Sequence, residues 1–134
     1  SGGLCFPLYA CSREIIKRYT PFLEKIDLTY TQYIAMMVLW GKKQISVKEL
    51  GKCLFLDSGT LTPLLKKLEQ KGYVTRTEQE DERVLIAAIT PKGEDLKDEA
   101  VLISQKMMAC AALPQEKAAQ LYTLLYELLN TLEK

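Results

Sequence analysis

Residues 55–69 read Phe-Leu-Asp-Ser-Gly-Thr-Leu-Thr-Pro-Leu-Leu-Lys-Lys-Leu-Glu, and the pattern in this stretch sets the fold. Asp57 and Ser58 each offer a side-chain oxygen ahead of a helical run, where the first-turn N–H groups have no partner of their own. Leu61, Leu64, Leu65 and Leu68 follow at spacings of three and four, the inward stripe of an amphipathic helix, and Thr60, Thr62, Lys66 and Lys67 fall on the other face. Gly72 supplies the stop. Just upstream, Ser46 can cap a shorter helix with Val47, Leu50 and Leu54 inward. Two short helices joined by a tight turn make a helix-turn-helix.

Downstream, Tyr73 to Thr77 and Val84 to Thr90 are strand-like and flank a charged run from Glu78 to Arg83, which predicts a β-hairpin with a charged tip. Thr90 then caps a helix with Pro91 in first place and Leu96, Ala100, Ile103 and Met107 on one stripe, running to about Cys110. A last helix after Leu113-Pro114 carries Leu121, Leu124, Leu125, Leu128 and Leu132, more leucine than an outer helix needs, so contact with a partner is expected. Upstream, Pro7 to Lys25 reads as a long amphipathic helix through Leu8, Cys11, Ile15, Tyr19 and Phe22. Asp27 to Thr29 breaks it, and a nearly all-apolar helix runs from Thr29 or Tyr30 through Tyr33, Ile34, Met37 and Trp40 to a stop at Gly41. A short extended piece covers Gln44 to Ser46. The expected fold is mainly α (α+β). It is a single domain over 1–134, with a winged helix-turn-helix at 42–91 and helical dimerisation regions at 4–41 and 92–134.

The chain has 134 residues, 48% hydrophobic and 26% charged, which suits one domain. No window approaches the ~18 apolar residues of a membrane helix and nothing reads as a signal peptide, so a cytoplasmic location is expected without a membrane partner. Ser1-Gly2-Gly3 looks like a cloning scar. There is no histidine, which removes Ser/His/Asp and Cys/His hydrolases and Cys/His zinc sites. The cysteines at 5, 11, 53 and 110 contain no C-x-x-C pair, so no metal and no cofactor are expected. On one helix Cys5 and Cys11 lie about 9 Å apart along the axis, too far for a disulfide. Net charge is +1, but residues 42–92 carry +3 and residues 93–134 carry −3, which permits DNA binding without demanding it.

In a helix-turn-helix the second helix enters the major groove, where hydroxyls reach base edges or phosphates and lysine meets phosphate. Ser58, Thr60, Thr62, Lys66 and Lys67 fit those roles. Arg83 at the hairpin tip fits the minor groove, and Arg76 at its base fits a phosphate clamp. Against this, an outward polar face is ordinarily only a solvated one, and Asp81 and Arg83 can simply pair with each other. Cys5 sits just ahead of a helix N-terminus, where the dipole favours an anion and the thiolate forms more readily. The bland alternative is an ordinary terminal thiol. Tyr19 and Tyr30 read as amphipathic core residues, Cys53 and Cys110 as small buried hydrophobes.

Three stretches resemble the MarR family, and within it the OhrR-type organic hydroperoxide sensors. They are L-C-F-P-L-Y-A-C-S-R-E from Leu4 to Glu14 with Tyr19 and L-T-Y-T-Q-Y from Leu28 to Tyr33; residues 55–69; and D-E-R from Asp81 to Arg83 with I-T-P-K-G opening the next helix. The resemblance implies a homodimeric winged-helix repressor, not an enzyme. It would hold an inverted-repeat operator in double-stranded DNA while reduced and release it when an organic hydroperoxide oxidises Cys5. Tyr19 and Tyr30 match the two tyrosines that hydrogen-bond the sulfur, at least one from the other subunit, and Asp81 falls in the DNA-contacting wing. The sulfenic acid ends in a disulfide with Cys110 of the partner subunit, or with a small thiol in the other branch of the family; the two-cysteine course is the one expected here. Cys11 and Cys53 match no family role, and Pro7 replaces an aliphatic residue. Competing readings are a MarR-type repressor released by a phenolic ligand, a thiol peroxidase working through Cys5, and an interaction module without DNA affinity.

Overall fold

Thr29 starts the helix that organises the core. Its hydroxyl accepts from the Gln32 N–H at 3.3 Å while the Gln32 side chain accepts from the Thr29 N–H at 3.1 Å, a reciprocal capping box. In the computed structural model, which describes residues 3–79, 84–109 and 113–133, the elements are α1 (Cys5–Glu24), α2 (Tyr30–Lys42), β1 (Gln44–Ser46), α3 (Val47–Leu54), α4 (Ser58–Gln70), β2 (Val74–Glu78), β3 (Leu85–Ile89), α5 (Pro91–Glu94), α6 (Lys97–Ala109) and α7 (Gln115–Leu132). Ser46, Asp57 and Thr90 cap α3, α4 and α5 through side-chain oxygens, as the sequence indicates. This is a winged helix-turn-helix: α3 and α4 are the two helices, β2 and β3 the wing.

Three boundaries differ from those the sequence indicates, and one expected extended piece gains a partner strand. Cys5 is the first residue of α1 rather than a residue ahead of it. Gly41 does not stop α2. The Lys43 N–H still reaches the Leu39 carbonyl at 2.8 Å, and the chain turns only at Lys43, at φ 68°. The helix after Thr90 breaks at Asp95–Leu96 into α5 and α6, because the Leu96 N–H bonds the Gly93 carbonyl three residues back at 3.3 Å. Finally, Gln44–Ser46 joins the wing as a third strand, antiparallel in the order β1-β3-β2, with Ile45 opposite Ala87 and Arg76 opposite Ala87 on the other side.

Leu23, Met36, Leu39, Leu50, Leu61, Leu65 and Leu68 are sealed from solvent between α1, α2, α3 and α4, and each such side chain contributes about 1.5–3 kcal/mol. Beneath the wing the Trp40 indole N–H donates to the Gly93 carbonyl at 2.9 Å. Gly93 is pressed so closely onto the Tyr73 carbonyl, Ile89 Cγ1 and Met36 Cε that no Cβ fits. Gly72, at φ 84°, takes the left-handed turn that ends α4, with the Tyr73 N–H on the Leu68 carbonyl at 3.0 Å.

The outer helices are different. Of the twenty residues of α1 only Leu23 is buried, and α7 buries none. Phe6 stays 73% exposed and Leu132 70%, with Tyr9, Ile15, Val101, Leu102, Leu121, Tyr122 and Leu124 also bare. No described helix is long and apolar enough to cross a membrane.

The crowding at Gly93 yields a stability prediction. Gly93→Ala costs about 3 kcal/mol, the upper end for overpacking, read from the urea midpoint; an unchanged midpoint removes Gly93 from its structural role.

Candidate nucleic-acid interface and thiol site

Helix α4 is held from within and open outside. The Asp57 carboxylate accepts from the Thr60 N–H at 2.8 Å, and that bond, followed by the Thr60 hydroxyl, holds its pKa below the ordinary carboxylate value. Leu61, Leu64, Leu65 and Leu68 face the core, and Ser58, Thr60, Thr62, Lys66 and Lys67 are all exposed. At about 100° per residue the crest opposite the leucines is formed by Gly59, Pro63, Lys66 and Gln70. Gly59, Pro63 and Gln70 were not singled out by residue type; the helical projection would have found them. Pro63 deprives the Gly59 carbonyl of its helical donor, on the face where water or a ligand donor can replace it.

The two arginines fare differently. Arg76 Nε donates to Glu69 Oε1 at 2.7 Å, and with its side chain only 18% exposed it ties β2 to α4 rather than lying open at the surface. Asp81 and Arg83 lie outside the described residues, as does Cys110.

Cys5 opens α1 with an exposed side chain; Leu4 before it makes no side-chain cap, and no acidic residue shares the first turn. Tyr19 stands fourteen residues further along the same helix, about 21 Å away along its axis at 1.5 Å per residue. Tyr30 packs edge-on against Tyr19 with ring centroids 5.2 Å apart, and Tyr33 joins them at 5.5 and 6.1 Å. Tyr33, expected only as part of an apolar helix face, is thus the third member of the cluster, and it leans on Trp40 at 6.3 Å. Both tyrosines are therefore far from the Cys5 of their own chain. Burial, with the neighbouring phenols Tyr33 and Tyr30, pushes the Tyr19 hydroxyl up to about 12, and burial followed by Tyr33 raises Tyr30. Cys11 is exposed on α1, and Cys53, expected to be buried, is exposed on α3, where at about 100° per residue it falls at the edge of the stripe formed by Val47, Leu50 and Leu54. Among the described residues no group of three or more His, Cys, Asp or Glu side chains is placed to hold a metal.

The fold and the open α4 define a winged helix-turn-helix protein. Residues 17–100 match the family described as transcriptional regulator SarA/Rot. The chain is 46% identical over 132 residues to the organic hydroperoxide resistance transcriptional regulator of Bacillus subtilis, covering 98% of this chain and 90% of that one. Among solved structures it is similar to AbfR of Staphylococcus epidermidis: reduced and bound to DNA (TM-score 0.83, 31% identity, 97% of this chain and 91% of that) and in its disulfide form (TM-score 0.74, 32% identity, 97% and 89%). The chain belongs to the MarR family of transcriptional regulators, in the group of the organic hydroperoxide resistance regulators.

The tyrosine cluster makes a spectroscopic prediction. In an alkaline titration followed at 295 nm, one phenol ionises only near pH 12, and Tyr19→Phe removes that step. Because the folded pKa lies above the unfolded one near 10, the stability that neutral Tyr19 contributes is intact below pH 10 and is lost as pH rises towards 12. Loss of the pH 10 step instead assigns the high pKa to another residue.

Proposed function

We propose that the chain is a redox-responsive repressor that works as a homodimer. Residues 4–41 and 92–134 form the dimerisation region of the single domain, and residues 42–91 form the DNA-binding part. The observation that carries this reading is the placement of Cys5 and the Tyr19–Tyr30 pair at opposite ends of α1. A sulfur held by these hydroxyls has to meet Tyr19 and Tyr30 of the partner subunit, so the sensing site is complete only in the dimer. The exposed surface supports it. At 9679 Å² the chain exposes far more than the roughly 7,100 Å² of a compact monomer of this mass, and the excess, on the order of 2,500 Å², matches what each chain of an obligate dimer covers. Most of the exposed large apolar side chains lie on α1, α6 and α7.

In the proposed cycle the reduced dimer sets its two α4 helices into successive major grooves of an inverted repeat. Ser58, Thr60 and Thr62 work at base edges or phosphates, Lys66 and Lys67 at phosphates, and Asp81 and Arg83 with the wing. The closer superposition on the DNA-bound reduced relative than on the disulfide form supports taking this conformation as the DNA-competent one. The Cys5 thiolate attacks the terminal oxygen of an organic hydroperoxide; the O–O bond breaks, the alcohol leaves with a proton and Cys5 becomes a sulfenic acid. The thiol of Cys110 of the partner subunit then displaces water, and the disulfide tilts the two α4 helices off their half-sites.

A second reading, release by a small phenolic ligand, is favoured by an open groove of about 730 Å³ lined by Val47, Lys48, Lys52, Phe55, Leu61 and Leu85. Under it, phenolic acids weaken DNA binding equally in wild type and Cys5→Ser.

The deciding experiment is intact mass and non-reducing gel mobility before and after one equivalent of cumene hydroperoxide. A covalent dimer that is absent in Cys5→Ser and in Cys110→Ser is expected. A small-thiol adduct on Cys5 without a dimer replaces the two-cysteine course with the one-cysteine one, and an unmodified Cys5 ends the redox reading. For the DNA face, raising salt from 50 to 200 mM lowers affinity by about 10³ if six or more phosphates are met. Lys66→Ala, present twice per dimer, reduces the salt slope by about 2; an unchanged slope by fluorescence anisotropy takes Lys66 off the phosphates.

A further inference from the structure

At the corner between α1 and α2 the sensing cluster is wired to the recognition helix through one side chain. Lys71, the residue that closes α4, sends its ammonium across to Asp27 and Gln32. Nζ donates to the Asp27 carbonyl at 2.8 Å and to Gln32 Oε1 at 2.9 Å, and lies 3.3 Å from Asp27 Oδ1. Gln32 is buried, and the same Oε1 takes the Thr29 N–H of the capping box, so it fixes the first turn of α2, which begins with Tyr30. Asp27 stands at φ 58°, a conformation that a non-glycine residue holds only when its surroundings impose it. Its other oxygen accepts from the Tyr73 hydroxyl at 3.3 Å, where β2 begins. The Lys71 carbonyl in turn accepts from Lys92 Nζ at 2.9 Å, and that ammonium lies 5.4 Å from the centre of the Tyr73 ring.

We infer that Lys71 is a positioning residue that transmits the state of the tyrosine cluster to α4. The inference rests on the redox reading above. A displacement of Tyr30 towards or away from the partner's sulfur carries the first turn of α2 with it, because Thr29 and Gln32 cap that turn reciprocally. Gln32 Oε1 then pulls on, or releases, the ammonium at the C-terminal end of α4. That helix is about 20 Å long and rigid, so a shift at its C-terminal end is delivered to Ser58 and Thr62 nearer its start. The ammonium, shared by three oxygens of the neighbouring corner, adds a directional tie to the non-directional apolar contacts that α4 makes with α2. The backbone of Lys71 is held by the Lys67 carbonyl within α4 and by Lys92 of α5, so the residue joins the end of α4 to the α1–α2 corner on one side and to α5 on the other.

The test uses the full-length protein and a duplex carrying the inverted repeat that the reduced wild type enriches from random sequence. Wild type, Lys71→Met and Lys71→Arg are compared before and after one equivalent of cumene hydroperoxide, with Cys5 oxidation followed by mass and α4 hydrogen exchange measured on the same samples without DNA. All three are expected to oxidise equally at Cys5. Wild type and Lys71→Arg lose at least tenfold in DNA affinity and exchange faster at residues 64–70. Lys71→Met, while keeping its reduced-state affinity within about threefold, loses less than threefold on oxidation and shows no change in exchange. Asp27→Asn, which keeps the left-handed corner, gives an intermediate ratio and serves if Lys71→Met unfolds. A full oxidation response in Lys71→Met and Asp27→Asn overturns the inference while leaving the redox reading intact. A wild type whose oxidised Cys5 changes neither affinity nor exchange overturns both.

Discussion

The carbonyl of Gly93 is the point on which the two halves of the molecule close. It accepts the indole N–H of Trp40, and its α-carbon lies against the Tyr73 carbonyl, Ile89 and Met36. Helix α2, the end of the recognition helix, the wing and α5 therefore meet at a place with no room for a methyl group. A buried indole N–H left without a partner is costly, and a close-packed core does not deform smoothly. The sheet and the helices consequently move as one body or change partners in discrete steps, which is the mechanical condition that a switch requires.

Against that rigid centre the periphery is unfinished. Helix α1 separates Cys5 from the tyrosine cluster, and α7 presents leucine and tyrosine that none of the described residues buries. Both facts reflect one pattern: these helices carry apolar residues that the described residues of the chain do not cover. The cluster of Tyr19, Tyr30 and Tyr33 sits where the finished centre and the unfinished periphery join, with Tyr33 reaching Trp40 on one side and the Thr29–Gln32 cap reaching Lys71 on the other.

The outward face of α4 illustrates how far residue type alone carries. Leucines at three- and four-residue spacing put Thr62, Lys66 and Lys67 outside, and they are outside. Arg76 reads from sequence as a phosphate clamp at the hairpin base, yet Glu69, seven positions earlier, takes up its guanidinium, because the close of α4 and the start of β2 lie side by side. Cys53 reads as a buried small residue, yet at the edge of the apolar stripe of α3 it is exposed.

By itself the sequence determined the elements and their order. Caps at Ser46, Asp57 and Thr90, the stop at Gly72 and the leucine spacing are local chemistry, set by which side chains can satisfy free N–H groups and which stripe avoids water. The absence of histidine likewise needed no structure to exclude whole classes of enzyme. Only the tertiary structure decided that Gln44–Ser46 is a strand, since a three-residue segment has no pairing until β3 is placed beside it. Only it decided that Tyr33 completes the aromatic cluster, and that Lys71 bridges to Asp27 and Gln32, some forty positions away. Contacts between distant residues depend on how rigid helices cross, and periodicity along one helix carries no information about the crossing.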